Sequence, residues 1–394
     1  MRRFNLTKFN VTKECNVEVL DNRILNPKNS IVNTNNGDDK IIGTVCLNGD
    51  FSFGIFVEAA SRNFNSIIAS AEFISRANID VKGIQNRGII NTGAGNDIVS
   101  GTAIANLSAT VTAVSKARAF AQNANTSVIT NALASIEFYA TADGIDNSGG
   151  EINTGQGNDS IYGSAIGSVA ADAIAYAEAS AIAEAMAGAT ATSLAKATIT
   201  ATGIKNIGGK ITTGDGNDTI TAFATSSCIT SSVAASNTLS SGNSDNQALA
   251  EAVSDAFAEA NDKAIAIDNT GGLISTGKGN DIIIAKATGS ESYGIFGGSI
   301  NMGKGDDRLE ASSLGGGVNI NMNDEKDYVE GFGNATIDGG KDYDILSFGS
   351  YSKSDFNIYS QNGFTMFELG GVSMKTCGFE EFKFAEGSYN SSGL

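Results

Sequence analysis

The long middle of the chain alternates between small and polar residues with a period of two. Alanine occupies every second position from Ala173 to Ala191, and a similar alternation runs through 113–121 and 248–260. This period places one class of residue on one face of a β-strand, whereas on a helix the same alanines would be spread around the circumference. We therefore predict strands in these intervals. The intrinsic preference of alanine for helices leaves a helical arrangement as the alternative.

Each alternating interval is interrupted near its middle by polar or glycine-containing residues. An outgoing strand, a turn and a returning strand form a unit of roughly 60 residues, which is one wide rung of a solenoid with rungs about 4.8 Å apart. The predicted fold class is therefore all-β: a flattened β-solenoid or β-roll with wide rungs that taper to short rungs, plus a C-terminal β cap. The predicted breaks lie at 61–65, 121–127, 185–190 and 240–247.

A short phrase, Gly-x-Gly-Asn-Asp, marks the same point in each unit. Well-formed copies lie at 91–101, 153–163, 212–222 and 275–285, and weaker copies at 33–43, 301–311, 321–331 and 338–348. The aspartates that the copies share are separated by 58, 62, 59, 63, 26, 20 and 17 residues, so the rungs shorten toward the C-terminus. These aspartates are Asp39, Asp97, Asp159, Asp218, Asp281, Asp307, Asp327 and Asp344.

A second phrase precedes each well-formed copy and consists of Ile, one variable residue and Asn, followed by glycine. Together the two phrases form an edge of about 18 residues in each unit, which we interpret as two short strands around turns. The copies of this second phrase lie at 83–88, 144–150, 203–209 and 266–272.

The Gly-Asn-Asp turn has the chemistry of a site for a hard cation. Its two glycines permit a positive φ, so backbone carbonyls can turn toward one point, and the aspartate adds an anionic oxygen. Calcium takes six to eight oxygen ligands in irregular geometry, whereas zinc prefers Cys or His. If the rungs stack, calcium ions would also offset a column of like charges. The alternative is a tight turn without metal, in which the aspartate only caps the turn.

The phrase resembles the RTX (repeats-in-toxin) nonapeptide G-G-x-G-x-D-x-U-x, in which U is a large apolar residue. Gly93, Gly95, Asp97 and Val99 take its second, fourth, sixth and eighth places, and the copies around the next four shared aspartates align in the same way. The first glycine, which supplies a backbone carbonyl in the family, is replaced by Thr or Met. The candidate calcium ligands are then Asp39, Thr92, Ala94, Asn96, Asp97, Thr154, Gln156, Asn158, Asp159, Thr213, Asp215, Asn217, Asp218, Thr276, Lys278, Asn280, Asp281, Met302, Lys304, Asp306, Asp307, Asp327 and Asp344.

The resemblance implies a parallel β-roll that binds calcium between turns, is exported by a type I system and folds on extracellular calcium. In the family the nonapeptides run in tandem, whereas here about fifty residues separate the long copies, so only one edge would carry sites. The first fifteen residues have no apolar core of a signal peptide, which fits this export route. We therefore expect an extracellular or cell-surface location. The expected domains are an N-terminal cap (1–29), the repeats (30–345) and a C-terminal cap with the secretion signal (346–394).

Composition narrows the classes of function. A net charge of −17 disfavours nucleic acid and anionic membranes as partners, and no apolar run is long enough to span a bilayer. Because the chain has no His, it has neither a Ser-His-Asp nor a Cys-His arrangement, and we expect no catalytic residues. We predict a structural, adhesive or surface-assembly protein, with a homo-oligomer or filament joined through the solenoid ends. The alternatives are a lyase or glycosidase with carboxylates from different rungs, and a flat ligand- or ice-binding alanine face.

Overall fold

The computed structural model describes residues 16–394 except residue 35 and the segments 63–65, 121–125, 183–184 and 242–248. Within this part the chain coils through successive rungs, and each rung adds strands to two sheets. Three of the predicted breaks, at 61–65, 121–127 and 240–247, fall largely outside the described residues, as do the first 15 residues of the predicted N-terminal cap. The predicted break at 185–190 is wrong, because a strand already begins at Ala185 and the alternation continues through it.

The wide rungs consist of two long strands each, joined by short strands at one edge. Among the described residues, no helix is long and apolar enough to cross a bilayer. In chain order the strands are β1 (Asn16–Asn22), β2 (Ile24–Asn26), β3 (Ile31–Asn33), β4 (Lys40–Arg62), β5 (Ser66–Asn86), β6 (Ile89–Asn91), β7 (Ile98–Phe120), β8 (Thr126–Asp146), β9 (Glu151–Asn153), β10 (Ser160–Ile182), β11 (Ala185–Lys205), β12 (Lys210–Asp215), β13 (Thr219–Ser241) and β14 (Leu249–Asp268).

The narrow rungs follow and lead into the C-terminal strands. Two 3-10 helices, Lys353–Asp355 and Ser391–Gly393, lie in this last part of the chain. The strands are β15 (Leu273–Lys278), β16 (Ile282–Thr288), β17 (Glu291–Phe296), β18 (Ser299–Lys304), β19 (Arg308–Ala311), β20 (Leu314–Asn321), β21 (Tyr328–Glu330), β22 (Gly333–Asp338), β23 (Ile345–Ser347), β24 (Asn357–Gln361), β25 (Phe364–Leu369), β26 (Val372–Cys377), β27 (Glu381–Phe384) and β28 (Gly387–Asn390).

The alanine-rich intervals are strands, as their period of two predicts, and the helical alternative is wrong. In one sheet β4, β7, β10 and β13 pair in parallel over their full lengths without a register shift. In the other sheet β5, β8, β11 and β14 also pair in parallel in one register, with an interruption only at Gly83, Gly144, Gly203 and Ala266. Ala173, Ala177 and Ala181 face inward and have no exposed surface. The alternation of alanine with larger or polar residues therefore outweighs the intrinsic helix preference of alanine, because a strand with this pattern buries one complete face.

The interior has two parts with different side chains. Between the long strands it consists mostly of alanine with some valine and isoleucine. Along the repeat edge and in the narrow rungs it consists mostly of isoleucine, leucine and phenylalanine. Where the two parts meet, the sheets approach so closely that a Cβ atom on Gly101 would lie 2.2 Å from the carbonyl oxygen of Gly144. Glycine is required there because any side chain would push the sheets apart.

The all-β, solenoid-like part of the predicted fold is confirmed, but the flattened roll with a separate C-terminal cap is wrong. The strands are nearly all parallel and close into a barrel-like shape, so the molecule is a large parallel β-helix. The C-terminal strands continue its walls: β26 pairs in parallel with β22, and β27 with β23. Phe348, Phe367 and Phe382 belong to the same core as the isoleucines of the repeat edge. In this last part of the chain the physical reason is side-chain volume, since these large residues need more space between the walls than the alanines of the long strands do.

A candidate metal centre along the repeat edge

The eight shared aspartates form one continuous column along the edge of the β-helix, which we call the aspartate column. The backbone N–H of Asp97 donates to Oδ1 of Asp159 over 2.8 Å, and that of Asp159 donates to Oδ1 of Asp218 over 2.8 Å. The column ends where the N–H of Asp344 donates to Oε2 of Glu380. Equivalent bonds of 2.8–2.9 Å run from Asp39 to Asp97, Asp218 to Asp281, Asp281 to Asp307, Asp307 to Asp327 and Asp327 to Asp344.

The second carboxylate oxygen, Oδ2, is buried and has no hydrogen-bond partner in all eight aspartates of the column. Asp97, Asp281 and Asp344 have no exposed surface at all. Within the described residues only three other buried side-chain oxygens share this state: Thr130 Oγ1, Asp143 Oδ1 and Thr212 Oγ1. Burying a polar atom without a partner costs about 1–3 kcal/mol, and more if the group is charged. A whole row of such atoms therefore requires either bound protons or bound cations.

Glycine makes the close stacking of the turns possible. In one turn Gly155 has a φ of 97° and Gly157 a φ of 134°, both in the region that favours glycine. A Cβ atom on Gly155 would lie 1.6 Å from the carbonyl oxygen of Gly93 in the neighbouring rung. The turn thus needs glycine both for its backbone conformation and for the contact between rungs, and this contact brings the aspartates into one column.

The threonines at the first position of the phrase connect the rungs through their hydroxyl groups. Oγ of Thr92 donates to the carbonyl of Thr154 over 3.1 Å, and Thr154 and Thr213 continue the series over 3.2 and 3.0 Å. Thr276 completes it by donating to the carbonyl of Met302. The four carbonyls that accept these bonds, and the carbonyl of Thr92, were predicted calcium ligands. The structure places them next to the aspartate column and shows a side-chain role for the four threonines that sequence reasoning missed.

The variable residues of the phrase also contribute their carbonyl groups to the contact between rungs. The carbonyl of Ala94 accepts the N–H of Gly37 over 2.7 Å, and the next rungs repeat this bond at 2.7–2.9 Å. A carbonyl oxygen keeps a second lone pair, so a bond of this kind still allows it to bind a cation. The side chains of Asp215 and Lys278 form an ion pair of 2.9 Å on the exposed surface, away from the buried carboxylates. The remaining carbonyls in this series belong to Gln156, Asp215, Lys278 and Lys304.

The asparagines of the phrase form a second, exposed column beside the aspartates. The N–H of Asn158 donates to Oδ1 of Asn96 over 2.8 Å, and Asn217 and Asn280 repeat this bond. The N–H of Asp306 donates to Oδ1 of Asn280 over 3.1 Å, which extends the series. Because each of these asparagine side-chain oxygens already holds the turn of the neighbouring rung, their main contribution is to the alignment of the rungs.

The donor set fits a hard cation bound by few carboxylates. Among the described residues, no group of three or more acidic or cysteine side chains is placed to hold a metal ion. An ion beside the column would therefore be held by successive aspartates together with backbone oxygens. Carboxylate and carbonyl oxygens in irregular geometry are ligands that calcium accepts, whereas they give zinc neither of its preferred donors. The Oδ2 atoms without partners are the atoms that such an ion would contact.

Burial raises the pKa of the six column aspartates from Asp159 to Asp344, most strongly toward the narrow rungs. The pKa rises to about 6 for Asp281, about 8 for Asp307, about 8 for Asp327 and about 7 for Asp344, chiefly because burial penalises the charged form. Neighbouring carboxylates raise these pKa values further, while the backbone N–H donated to each Oδ1 lowers them. Full ionisation of the column is therefore unfavourable unless a cation offsets the charge.

A ladder of buried asparagines runs along the same side of the β-helix, and unlike the aspartate column its side chains have hydrogen-bond partners on both the oxygen and the nitrogen. Nδ2 of Asn86 donates to Oδ1 of Asn147 over 2.6 Å, and Asn147 donates to Asn206 over 2.7 Å. Asn147 also donates to the carbonyl of Lys210 over 3.1 Å. The members of this ladder are Asn26, Asn86, Asn147, Asn206 and Asn269. Its signal was present in the sequence as the asparagine of the second phrase.

Replacing Asn147 by Ala is expected to destabilise the fold by about 2–4 kcal/mol, because Asn86 loses an acceptor and Asn206 a donor inside the core. Chemical denaturation followed by circular dichroism measures this effect. Asn237→Ala is the matched control, since Asn237 lies on the exposed face of β13 and should change stability by less than about 0.5 kcal/mol. Equal effects of the two substitutions would contradict a stabilising role for the ladder.

The fold and the repeat edge define a parallel β-helix with a buried row of carboxylates. In each carboxylate from Asp97 to Asp344 one oxygen accepts a backbone N–H from the neighbouring rung, and the other oxygen has no partner. No protein-family description matches the chain, and no match is found among curated proteins or solved structures.

Proposed function

We propose that this chain is a calcium-binding repeat protein of the RTX type that serves a structural, adhesive or surface-assembly role rather than an enzymatic one. The observation that carries the proposal is the row of eight buried Oδ2 atoms without partners. A cation between successive aspartates would give each of these oxygens a partner and remove the repulsion along the column.

The position of the column supports a coupling between calcium and folding. It runs through the turns of all the stacked rungs, from Asp39 to Asp344, so ions bound there would connect rungs that are far apart in sequence. In an unfolded chain these aspartates are 17 to 63 residues apart and offer no preformed site. Binding free energy at such a site therefore becomes folding free energy. Export before folding, and folding on extracellular calcium at the cell surface, are part of this proposal through the resemblance of the repeats.

Calorimetric titration of the purified chain with calcium tests the proposal directly. We expect saturable binding, a gain of β signal in circular dichroism and a higher melting temperature, whereas magnesium should act weakly because it requires stricter geometry. A protein that binds no calcium, and whose melting temperature calcium leaves unchanged, would remove the basis of the proposal.

The double variant Asp159→Asn/Asp218→Asn separates calcium binding from turn formation. An amide oxygen can still accept the neighbouring N–H, but the anionic Oδ2 is lost at two adjacent levels. We expect fewer calcium ions per chain and at least about tenfold weaker binding at the remaining local sites. Asp215→Asn, in the same turn as Asp218 but exposed, is the matched control and should bind calcium like the unmodified chain.

A further inference from the structure

The last wide rung exposes two long strand edges. β13 pairs with β10 over its full length, but on its other side β16 covers only residues 219–225. β14 is covered by β17 only over residues 263–268. No described strand pairs with residues 227–239 of β13 or 250–261 of β14 on that side. At about 3.3 Å per residue these two edges, which we call the open edge, extend for roughly 40 Å.

The backbone groups of the open edge point outward. The N–H of Thr219 donates to the carbonyl of Asp159 in the preceding rung, and the carbonyl of Asp218 accepts the N–H of Ile282 in the following rung. Because backbone groups alternate between the two sides of a strand, even-numbered residues of β13 direct their N–H and C=O groups toward the open edge. Ala234 is near its centre. Such a row of groups is a template for pairing with another strand.

The open edge of β13 lacks the features that usually prevent such pairing. Residues 227–239 contain no charged residue, no proline and no glycine. Their outward side chains include Ile229, Val233 and Leu239, which are 65%, 49% and 62% exposed. Proteins commonly protect an exposed edge with charges, prolines or bulges. An uncharged edge of this length that carries exposed Ile229, Val233 and Leu239 side chains favours association with another polypeptide strand.

The narrow rungs determine how a second copy of the chain can reach the open edge. The narrow rungs pair with residues 219–225 of β13 and continue away from it. If a second copy stacked on β13 in the same direction, its first wide rung would need the space that these narrow rungs occupy, and the two would collide. A copy related by a two-fold axis normal to the sheets avoids this collision, since the narrow rungs of the two copies then lie at opposite ends of the open edge. A contact of this isologous kind closes as a dimer.

The side chains select one register for this antiparallel contact. Oγ of Ser236 lies 2.8 Å from Oγ of Ser254, so Ala234 on β13 lies opposite Ala256 on the returning strand β14. An axis through these two alanines places Ile229 opposite Leu239 of the second copy.

The same axis places Asp255 of β14 opposite Phe257 of the second copy, and Glu251 opposite Asn261. Shifting it by one residue would place Asp255 opposite Glu259 or opposite another Asp255, which costs energy because like charges oppose each other. Of these neighbouring registers, the one centred on Ala234 pairs apolar residues and separates the carboxylates.

We propose that two copies of this chain associate through the open edges of β13 and β14, antiparallel and centred on Ala234, into a closed dimer. A footprint about 40 Å long across two sheets approaches the order of 800 Å² that each partner buries in a standard interface. This contact does not use the aspartate column, so calcium binding and dimerisation can fail separately.

Sedimentation velocity of the full chain over a range of concentrations tests the dimer. We expect Val233→Lys to weaken it by about tenfold, because the apolar contact of Val233 is lost and two like charges come close together across the axis. Ile174→Lys is the matched control: Ile174 pairs with Val233 and faces the same side, but lies one strand inside the edge, so dimerisation should be unchanged. A chain that is monomeric at all concentrations, or equal effects of the two substitutions, would overturn the proposal.

Disulfide cross-linking tests the register independently of any loss of stability. On β13 only residue 234 lies opposite its own counterpart, at a Cα distance of about 5.5 Å that a disulfide can bridge. Ala234→Cys should therefore form covalent dimers under mild oxidation, whereas Thr230→Cys should not, since its two copies would be about 26 Å apart. Cross-linking of Thr230→Cys alone, or open filaments in electron micrographs, would instead show a different arrangement.

Discussion

Without divalent cations, the protein is expected to lose stability as the pH rises from 6 to 8. The pKa of Asp281 is raised to about 6 and those of Asp307 and Asp327 to about 8, so the folded state keeps protons that the unfolded chain releases. A raised carboxyl pKa contributes stability that is fully present below the unfolded value and is lost as the pH rises through the folded value. Melting curves recorded in a chelator at several pH values measure this loss.

Calcium should reduce this pH dependence. Bound calcium ions offset the negative charge of the column carboxylates, which in the absence of calcium is removed by protonation. Asp307→Asn is an informative variant, since it removes one strongly shifted carboxyl group while keeping an oxygen to accept the N–H of Asp281. We expect a shallower decline between pH 6 and 8 in the chelator. A metal-free melting temperature that increases over this range would show that the column ionises without penalty.

Replacing Gly214 by Ala is expected to destabilise the protein by at least about 3 kcal/mol. A Cβ atom there would lie 1.6 Å from the carbonyl oxygen of Gly155, and the φ of 106° is one that side chains rarely adopt. Neither strain can relax, because the turns above and below hold Gly214 in a stack of parallel strands. Denaturant unfolding of the variant measures the loss.

Gly188→Ala provides the control for this substitution. Gly188 lies in β11 with an ordinary strand conformation, and a Cβ atom added there meets nothing within 4 Å. We expect it to be neutral or slightly stabilising, because alanine lowers the conformational entropy of the unfolded chain. If the two substitutions cost the same, the close contact between turns would not be what makes glycine necessary in the repeat.

The repeat could be predicted from the sequence because its signals are local. The two glycines of each phrase indicate an unusual backbone conformation, and the shared aspartates mark the same point in every rung. Which oxygen of each aspartate is used depends on the neighbouring rung. Asp159 accepts the N–H of Asp97 through Oδ1, and its Oδ2 is buried without a partner. This difference between the two oxygens is visible only once the neighbouring rung is in place.

The sequence by itself determined which residues line one face of the long strands, because a period of two fixes the side to which each side chain points. It did not determine the cross-section of the β-helix, which depends on how the summed volumes of isoleucine, alanine and phenylalanine fill the space between the walls. The drop in spacing from 63 to 26 residues indicates that the last wide strands extend past the narrow rungs, but it does not show whether another strand covers their edge. Only the tertiary structure decided this, since an edge is open or covered according to which strands lie beside it.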